Sequence, residues 1–220
     1  MKVDFHAHTY HSPDSLSRIP ALIKAARKAG LDRLVITDHN SIRGALEAQQ
    51  IEPEMIIVGE EIRTTAGEFL AAFVTKHVPR GLDPKQALEL LREQGAFVSI
   101  SHPFDPYRSG WSLEQLEQLA PLVDAVEVLN ARALDENYNI KAMEFARAHR
   151  LPGTAGSDGH LPIEIGKAYL ELPPFSDTAS LKRSIQDSVC AGGLSPAWVH
   201  FGSTWAKLVK KIRPREIELK

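Results

Sequence analysis

The stretch DFHAHTYHSPDS, residues 4–15, places three histidines and two aspartates within twelve residues. Its first two histidines, His6 and His8, follow the apolar start VDF, which predicts a β-strand. Side chains at positions i and i+2 of a strand point to the same face, so both imidazoles can reach one cation. Because histidine is also an ordinary buried residue, the pair predicts a metal site only if further ligands converge on it.

Short apolar runs alternate with helical segments along the rest of the chain. The clearest helix is DPKQALELLREQG, where Asp83 is the N-cap, Pro84 holds the first helical position and Gly95 marks the end. After the first strand, the predicted strands include RLVIT (33–37), MIIVGEEI (55–62), EFLAAFV (68–74), AFVSIS (96–101), VDAVEVL (123–129) and LPGTA (151–155). This alternation is typical of βαβ units and of a largely parallel sheet.

Candidate ligands occur at the C-terminal ends of six predicted strands. They are His6, His8, Asp38, His39, Glu61, His102, Asn130, Asp158 and His160. In a (β/α) barrel all of these ends converge on one face, whereas a doubly wound sheet brings only two or three loops together. The positions of the polar residues therefore predict a barrel with a metal site in its mouth.

Five motifs follow one another in a fixed order: DFHAHTYHSPDS, TDHN, VGEE, SHPF and AGSDGH. Between Met1 and about Glu171 they resemble the successive motifs of the PHP (polymerase and histidinol phosphatase) family. The resemblance implies an α/β protein with a distorted seven-stranded (β/α) barrel, similar to a TIM barrel. It further implies two or three divalent metal ions in the mouth and, usually, hydrolysis of phosphate esters.

The resemblance also implies a set of metal ligands. These are His6, His8 and Asp158 for one ion, Glu61 as a bridge to a second ion that His102 also holds, and Asp14, His39 and His160 for a third. The family pattern GxE selects Glu61 rather than Glu60, whose side chain is expected on the other side of the strand. Other members have histidine where this chain has Asp14, so His11 is an alternative ligand.

The chemistry of these ligands narrows the choice of metal and mechanism. Mixed imidazole and carboxylate ligands suit Mn²⁺, Fe²⁺ or Zn²⁺ better than Mg²⁺ or Ca²⁺. Two such ions could hold a hydroxide that attacks phosphorus and could neutralise the phosphoryl oxygens. The general acid is left open among His160, Asp38 and a metal-bound water.

Three residues on the same rim are candidates for contact with the substrate. Arg108 and Arg132 lie on rim loops, and the planar fork of a guanidinium suits a phosphate. Asn130 stands near the position where some family members have a further histidine. These residues favour a small phosphorylated substrate.

The bulk composition bounds the remaining expectations. With 220 residues and 43% hydrophobic residues, we expect one domain over residues 1–200 and a basic C-terminal tail over residues 201–220. Because the net charge is -2, we expect no contact with long nucleic acid. Without a run of about 20 apolar residues or a leader, the chain is expected to be cytoplasmic and away from membranes. Its oligomeric state is left open. Cys190 is expected on a helix, His200 beneath the barrel and the tail as a solvated or frayed helix.

The leading hypothesis is a metal-dependent phosphoesterase that hydrolyses a small phosphorylated metabolite, with a nucleotide or nucleoside bisphosphate favoured. Histidinol-phosphate phosphatase is an alternative within the same chemistry. A metal-dependent amide or lactone hydrolase keeps the metals but cleaves another bond, and a non-catalytic metal-binding domain is the third alternative.

Overall fold

The computed structural model describes residues 1–108 and 110–212. The strands are β1 (Lys2–Ala7), β2 (Arg33–Ile36), β3 (Ile56–Arg63), β4 (Glu68–Ala72), β5 (Phe97–Ile100), β6 (Ala125–Asn130), β7 (Gly153–Gly156), β8 (Ala168–Glu171) and β9 (Val189–Gly192). The α-helices are α1 (Ile19–Lys28), α2 (Arg43–Ile51), α3 (Pro84–Glu93), α4 (Leu113–Leu119), α5 (Glu136–His149), α6 (Thr178–Ser184) and α7 (Val199–Ile212).

Within the described residues the nine strands form one sheet in the order β7-β6-β5-β4-β3-β2-β1-β8-β9. An isolated parallel bridge between Ala7 and Gly159 joins the end of β1 to the segment after β7, so the sheet nearly closes. The predicted barrel-like α/β architecture is therefore confirmed.

The sheet is mixed rather than largely parallel. β1, β2 and β3 run parallel to one another, as do β5, β6 and β7, but β4 is antiparallel to both of its neighbours and β8 is antiparallel to β1 and β9. The reversal at β4 follows from the short turn 64–67, in which the backbone N–H of Thr64 donates to Gly67 O at 3.0 Å. A parallel neighbour would need a connection of a dozen or more residues.

Two clusters of buried apolar side chains pack against the sheet. Leu34 and Ile36 of β2 belong to the larger cluster, which includes residues of helices α1 to α5, whereas Val35 between them belongs to the other cluster with Phe5 and Phe97. This division follows the two-residue period of a strand. The two clusters hold the strand ends in place around the mouth, which is the cavity at the carboxyl ends of the parallel strands.

Asp83 is the N-cap of α3, as the sequence predicts, and Gln86 completes a capping box with it. The Asp83 carboxylate accepts the N–H of Lys85 at 2.9 Å, and Gln86 Oε1 accepts the N–H of Asp83 at 3.3 Å. We expect Asp83→Ala to lower the free energy of unfolding by about 1 kcal/mol in denaturant titration, because it removes this acceptor. Asp83→Asn is the control, since it keeps a side-chain oxygen; equal stability of the alanine variant would contradict the prediction.

Two expectations for the C-terminal part differ from the structure. Cys190 lies in β9 rather than on a helix, because α6 ends at Ser184 and the following residues pair antiparallel with β8. Its thiol is half-buried, and burial raises its pKa to about 11. The predicted tail begins inside α7, and residues 213–220 lie outside the described part. None of the described helices is both long and apolar enough to span a bilayer.

Candidate metal centre

The two histidines of β1 meet two carboxylates in the mouth. His6 Nε2 lies 3.2 Å from Glu61 Oε2 and 3.6 Å from Asp158 Oδ1. His8 Nε2 lies 3.2 Å from Asp158 Oδ1 and 3.5 Å from Glu61 Oε2. All four side chains are buried. Strands β1 and β3 and the loop after β7 thus bring nitrogen and oxygen donors to one point.

The two carboxylate oxygens of Glu61 face different partners. Oε2 is directed at His6, His8 and His39, with His39 Nδ1 at 3.0 Å. Oε1 lies 3.1 Å from His102 Nε2 and accepts a hydrogen bond from Ser101 Oγ at 3.0 Å. This is the placement that a carboxylate bridging two ions would need.

A third group of donors surrounds Asp14. Its two carboxylate oxygens lie 3.3 Å from His39 Nε2 and 3.2 Å from His160 Nε2. Burial opposes ionisation of Asp14, but the imidazoles of His160 and His39 outweigh it and hold the pKa of the carboxyl well below its ordinary value. Asp14 is therefore an anionic donor.

The imidazole of His8 provides the clearest test of whether a metal fits. Among the described residues, neither of its buried ring nitrogens makes a hydrogen bond of good geometry, although Nε2 lies 3.2 Å from Asp158 Oδ1. Nδ1 of His102 is also buried without a hydrogen bond. Burial and the neighbouring His160, His39 and His6 lower the pKa of His8 to about 3, so the ring is neutral. A buried, neutral and unpartnered imidazole nitrogen is the form that binds a divalent ion.

Three sets of side chains offer ligand atoms that lie within 4.8 Å of one another in the described part of the chain. They are His6, His8 and Asp158; His8, Asp14, His39 and His160; and His39, Glu61 and Glu68. His102 approaches the last set through Glu61 and lies 3.7 Å from Glu68 Oε2. The structure therefore brings together every ligand that the resemblance implies.

Backbone conformation at the rim is unusual. His102 and Asp158 have φ angles of 24° and 51°, and Asn40, next to His39, has 52°. A residue with a Cβ pays of order 1–3 kcal/mol for a sparsely populated conformation, and such residues cluster at functional sites. His102 and Asp158 line the mouth, whereas the Asn40 side chain accepts a hydrogen bond from the N–H of Arg63.

Two buried glutamates of the site were missed in the sequence. Glu127 Oε1 accepts a hydrogen bond from His6 Nδ1 at 2.8 Å, and its Oε2 accepts from His102 N at 2.8 Å. Glu68 begins β4 and reaches the mouth because this strand runs antiparallel. An acidic residue inside the apolar run VDAVEVL was a usable signal for Glu127, whereas Glu68 required the strand direction.

Asn130 and Asp38 lie outside the mouth. The amide of Asn130 donates to Asp158 Oδ2 and to Glu127 Oε2, both at 3.1 Å, so it holds two carboxylates instead of facing a substrate. Asp38 is buried and accepts hydrogen bonds from the N–H and hydroxyl of Thr9, both at 2.6 Å. Burial raises the pKa of Asp38 to about 6. Of the two protein candidates for general acid, only His160 lines the cavity.

The two predicted arginines do line the mouth. The guanidinium of Arg108 pairs with Asp158 and lies 3.4 Å from Asp105. Arg132 is buried; its Nη2 donates to Ser203 Oγ at 2.9 Å, and its Nη1 lies 3.5 Å from Glu164 without a hydrogen bond. Both guanidinium groups are therefore fixed beside the ligand cluster.

Helix α7 forms one wall of the mouth, which the sequence did not predict. The cavity has a volume of about 430 Å³, and α7 contributes His200, Ser203, Thr204 and Lys207 to its lining. Lys207 Nζ lies 3.5 Å from Asp14 Oδ2. His200 is therefore at the mouth rather than beneath the barrel.

The geometry distinguishes Asp14 from His11. His11 Nε2 lies 3.0 Å from Glu47 Oε2, at the surface and away from the donor sets. We expect Asp14→Ala to weaken binding of one of the metal ions by more than about 100-fold, whereas His11→Ala leaves binding unchanged. Metal titration with elemental analysis of both variants measures this, and the reverse pattern would make His11 the ligand.

Family models match most of the segments that build this site. The PHP domain model matches residues 4–102, and the PHP-associated model matches residues 136–190. These two segments contain all the residues of the site described above except Asp105, Arg108, Glu127, Asn130, Arg132 and the residues of α7.

Two uncharacterized proteins of Methanocaldococcus jannaschii are 35% identical to this chain. One matches over 144 residues, which are 60% of this chain and 82% of the relative; the other matches over 176 residues, 78% and 70% respectively. Among solved structures, PsfC from Pseudomonas syringae superposes with a TM-score of 0.71, at 19% identity, over 94% of this chain and 98% of its own. A protein of Bifidobacterium adolescentis assigned as a metal-dependent phosphoesterase gives 0.61, at 19% identity, over 72% and 87%. At these identities the structural matches show the fold.

Proposed function

Because this chain belongs to the PHP domain family and is a metal-dependent hydrolase, we propose that it is a phosphoesterase that acts on a small phosphorylated metabolite. One observation carries the proposal: the cations Arg108, Arg132 and Lys207 line the mouth immediately beside the metal-ligand cluster. A phosphate ester is anionic and can pair with these cations, of which Arg108 now lies beside Asp158 and Asp105 and Lys207 beside Asp14. An amide or a lactone carries no charge at the bond to be cleaved.

The ligand sets described above would hold two or three divalent ions. When bound, these ions would act as Lewis acids on phosphoryl oxygens and lower the pKa of water, with Mn²⁺, Fe²⁺ or Zn²⁺ suited to the mixed donors. Glu127 fixes His6 by accepting its Nδ1 hydrogen, so that Nε2 faces the cluster. Asn130 orients Asp158 in the same way.

The arginines would orient the substrate. A guanidinium can donate two parallel hydrogen bonds to a phosphate, which fixes its direction as well as its position. Arg132 is already held by Ser203, so little side-chain entropy would be lost on binding. His160 lines the cavity, with Nε2 3.2 Å from Asp14 Oδ1. This nitrogen would be a ligand when a third ion is bound, so His160 can protonate the leaving oxygen only when two ions are bound.

The size and charge of the mouth favour a nucleotide or nucleoside bisphosphate. A cavity of about 430 Å³ lies within the range of sites for small molecules. Several separated cations can serve more than one phosphate. The net charge of -2 gives no support for long nucleic acid, and the single Cys190 is compatible with a reducing compartment, so we propose a cytoplasmic metabolite as substrate.

The test is release of inorganic phosphate from nucleoside monophosphates, 3′,5′-bisphosphates, histidinol phosphate and aryl phosphates by Mn²⁺-reconstituted protein. We expect selective turnover of nucleotide substrates, and a strong increase of KM in Arg108→Glu. Arg80→Glu, which reverses the charge of an exposed arginine away from the mouth, is the matched control.

Other outcomes would identify other functions. Turnover of histidinol phosphate alone would favour that phosphatase. No release from any ester by metal-loaded protein would contradict the proposal, and hydrolysis of amides or lactones would then replace it. Bound metal without any turnover would favour a non-catalytic metal-binding domain.

A further inference from the structure

Helix α7 and the turn before it expose a row of large apolar side chains. We call this row the apolar stripe; it consists of Trp198, Phe201, Trp205, Leu208 and Ile212, which are 52%, 78%, 61%, 47% and 68% exposed. Single exposed apolar residues need no explanation, but a contiguous row with three aromatic side chains is typical of an interaction surface.

The opposite face of α7 is already in use. Val199 and Ala206 are buried, and Gly202 lies so close to Leu161 that a Cβ would meet its Cδ1 at 2.8 Å. Ser203 accepts a hydrogen bond from Arg132, and the ammonium of Lys210 donates to backbone carbonyls of the loop after β1. The orientation of α7 is thus set by the domain, and the stripe faces outwards.

Packing within one chain buries few residues of α7 and so contributes little to the stability of this helix. A helix of 14 residues is marginal in water by itself, and helices in proteins are stabilised mainly by packing their apolar face. Here only two of the 14 residues are buried, and the larger apolar face is outside. We propose that the apolar stripe is the interface with a second copy of this chain, formed by an antiparallel pair of α7 helices related by a two-fold axis.

The spacing of the stripe suits another helix. Its residues are separated by three, four, three and four positions, which is the a/d repeat of a two-stranded helical pair. The repeat extends over the whole of α7. A two-fold pair uses the same surface of both copies, so one self-complementary stripe is sufficient.

The distribution of side-chain volume selects the antiparallel direction. Positions 198, 205 and 212 form one class of the repeat and positions 201 and 208 the other, and in an antiparallel pair each class faces the other. Phe201 then faces Ile212 of the second copy, and Trp205 faces Leu208. These two aromatic side chains thus meet aliphatic ones, which fills the interface evenly. A parallel pair would oppose Trp198, Phe201 and Trp205 to themselves and crowd one end.

Area and charge agree with a second copy. Aromatic side chains bury about 150–250 Å² each, so covering the stripe would remove roughly 500 Å² of accessible surface per copy and about 1,000 Å² per pair, near the lower limit of specific interfaces.

An anionic membrane surface fits the apolar stripe less well than a second copy does. Lys207 lies beside Asp14, and Lys210 donates to carbonyls of the loop after β1. Among the described residues of α7 this leaves Lys211 as the one lysine free for such a surface.

The first test is the mass of the full chain in solution, measured by light scattering and sedimentation velocity. We expect twice the 24.3 kDa of one chain. Trp205→Asp should raise the dissociation constant at least about 30-fold, because a central aromatic anchor is lost. Leu113→Asp is the matched control, since Leu113 is also 61% exposed but lies on α4.

A cross-linking experiment tests the direction without disrupting the fold. In a Cys190→Ala background, a mixture of tagged Phe201→Cys and untagged Ile212→Cys should form a disulfide between the two variants, and each variant alone should form few disulfide-linked pairs. A parallel pair would reverse this pattern and overturn the arrangement.

Two results would overturn the association itself. One is a wild-type chain that is monomeric up to submillimolar concentration, in which case binding to phosphatidylserine vesicles would assign the stripe to a membrane. The other is a dimer that Trp205→Asp and Leu113→Asp affect equally. Neither depends on whether the protein hydrolyses phosphate esters.

Discussion

Glu61→Gln is expected to lower kcat/KM for phosphate release by at least about 10³-fold, which corresponds to about 4 kcal/mol. Glutamine keeps the shape of the side chain but removes its charge and one of its two acceptor oxygens. Both oxygens are engaged, Oε2 with His6, His8 and His39, and Oε1 with His102. Loss of either oxygen therefore breaks the contact between the donor sets.

The expected loss of bound metal can be measured separately from activity. Elemental analysis of purified Glu61→Gln should show fewer ions per chain than the wild type. Glu60→Gln is the matched control, because Glu60 is also buried in β3 but faces the other side, where it contacts His77 and accepts from the N–H of Val78. A Glu61→Gln protein with normal metal content and turnover would contradict the role of Glu61.

Glu127→Gln is expected to weaken metal binding by about 10- to 100-fold, although Glu127 is not itself in the predicted ligand set. Its carboxylate accepts hydrogen bonds from His6 Nδ1, His102 N and the Asn130 amide. An amide has one oxygen, so it must present its NH₂ group to one of these donors. The change should alter the orientation of His6.

Competition titration against a chelator of known affinity measures this effect. Thermal unfolding of the metal-free protein gives the control, since a purely structural role of Glu127 would lower stability without changing metal affinity in the folded state. Glu60→Gln again serves as a buried glutamate with a histidine partner outside the site. Unchanged metal affinity in Glu127→Gln would show that Glu127 does not position His6.

The cluster of candidate ligands was predictable from local patterns, whereas their assignment to particular ions came from the resemblance to the PHP motifs. His6 and His8 share one strand face, and His39, His102 and Asp158 each follow a strand within a few residues, so periodicity and strand ends placed them on one rim. The barrel followed from the same positions. Glu61 was chosen over Glu60 by the family pattern GxE together with the alternation of side chains along a strand, and in the structure the two side chains lie on opposite sides of β3.

Features that depend on contacts between distant segments were not predictable in this way. Glu68 reaches the mouth only because the turn before it reverses β4, and the local pattern of EFLAAFV does not reveal that direction. The contacts of Lys210 with the loop after β1 join residues about 200 positions apart. The tail therefore looked like a solvated helix, although residues of α7 form a wall of the cavity.

The predicted helix around Cys190 was wrong for a related reason. The segment LKRSIQDSVCA has helical spacing at its start, and α6 does form over Thr178–Ser184. After a turn of 3₁₀-helix, Val189 and Cys190 instead pair with Glu171 and Leu170 of β8. Pairing with a strand some twenty residues away outweighs the weak local preference for helix.

The most direct test of a metal-dependent phosphoesterase in this mouth is to measure bound metal and phosphate release on the same sample, before and after chelation. The account predicts two or three divalent ions per chain, loss of nucleotide hydrolysis when they are removed, and recovery when Mn²⁺ is restored. Chelated protein that binds no added Mn²⁺, or nucleotide hydrolysis that is indifferent to metal removal, would contradict it.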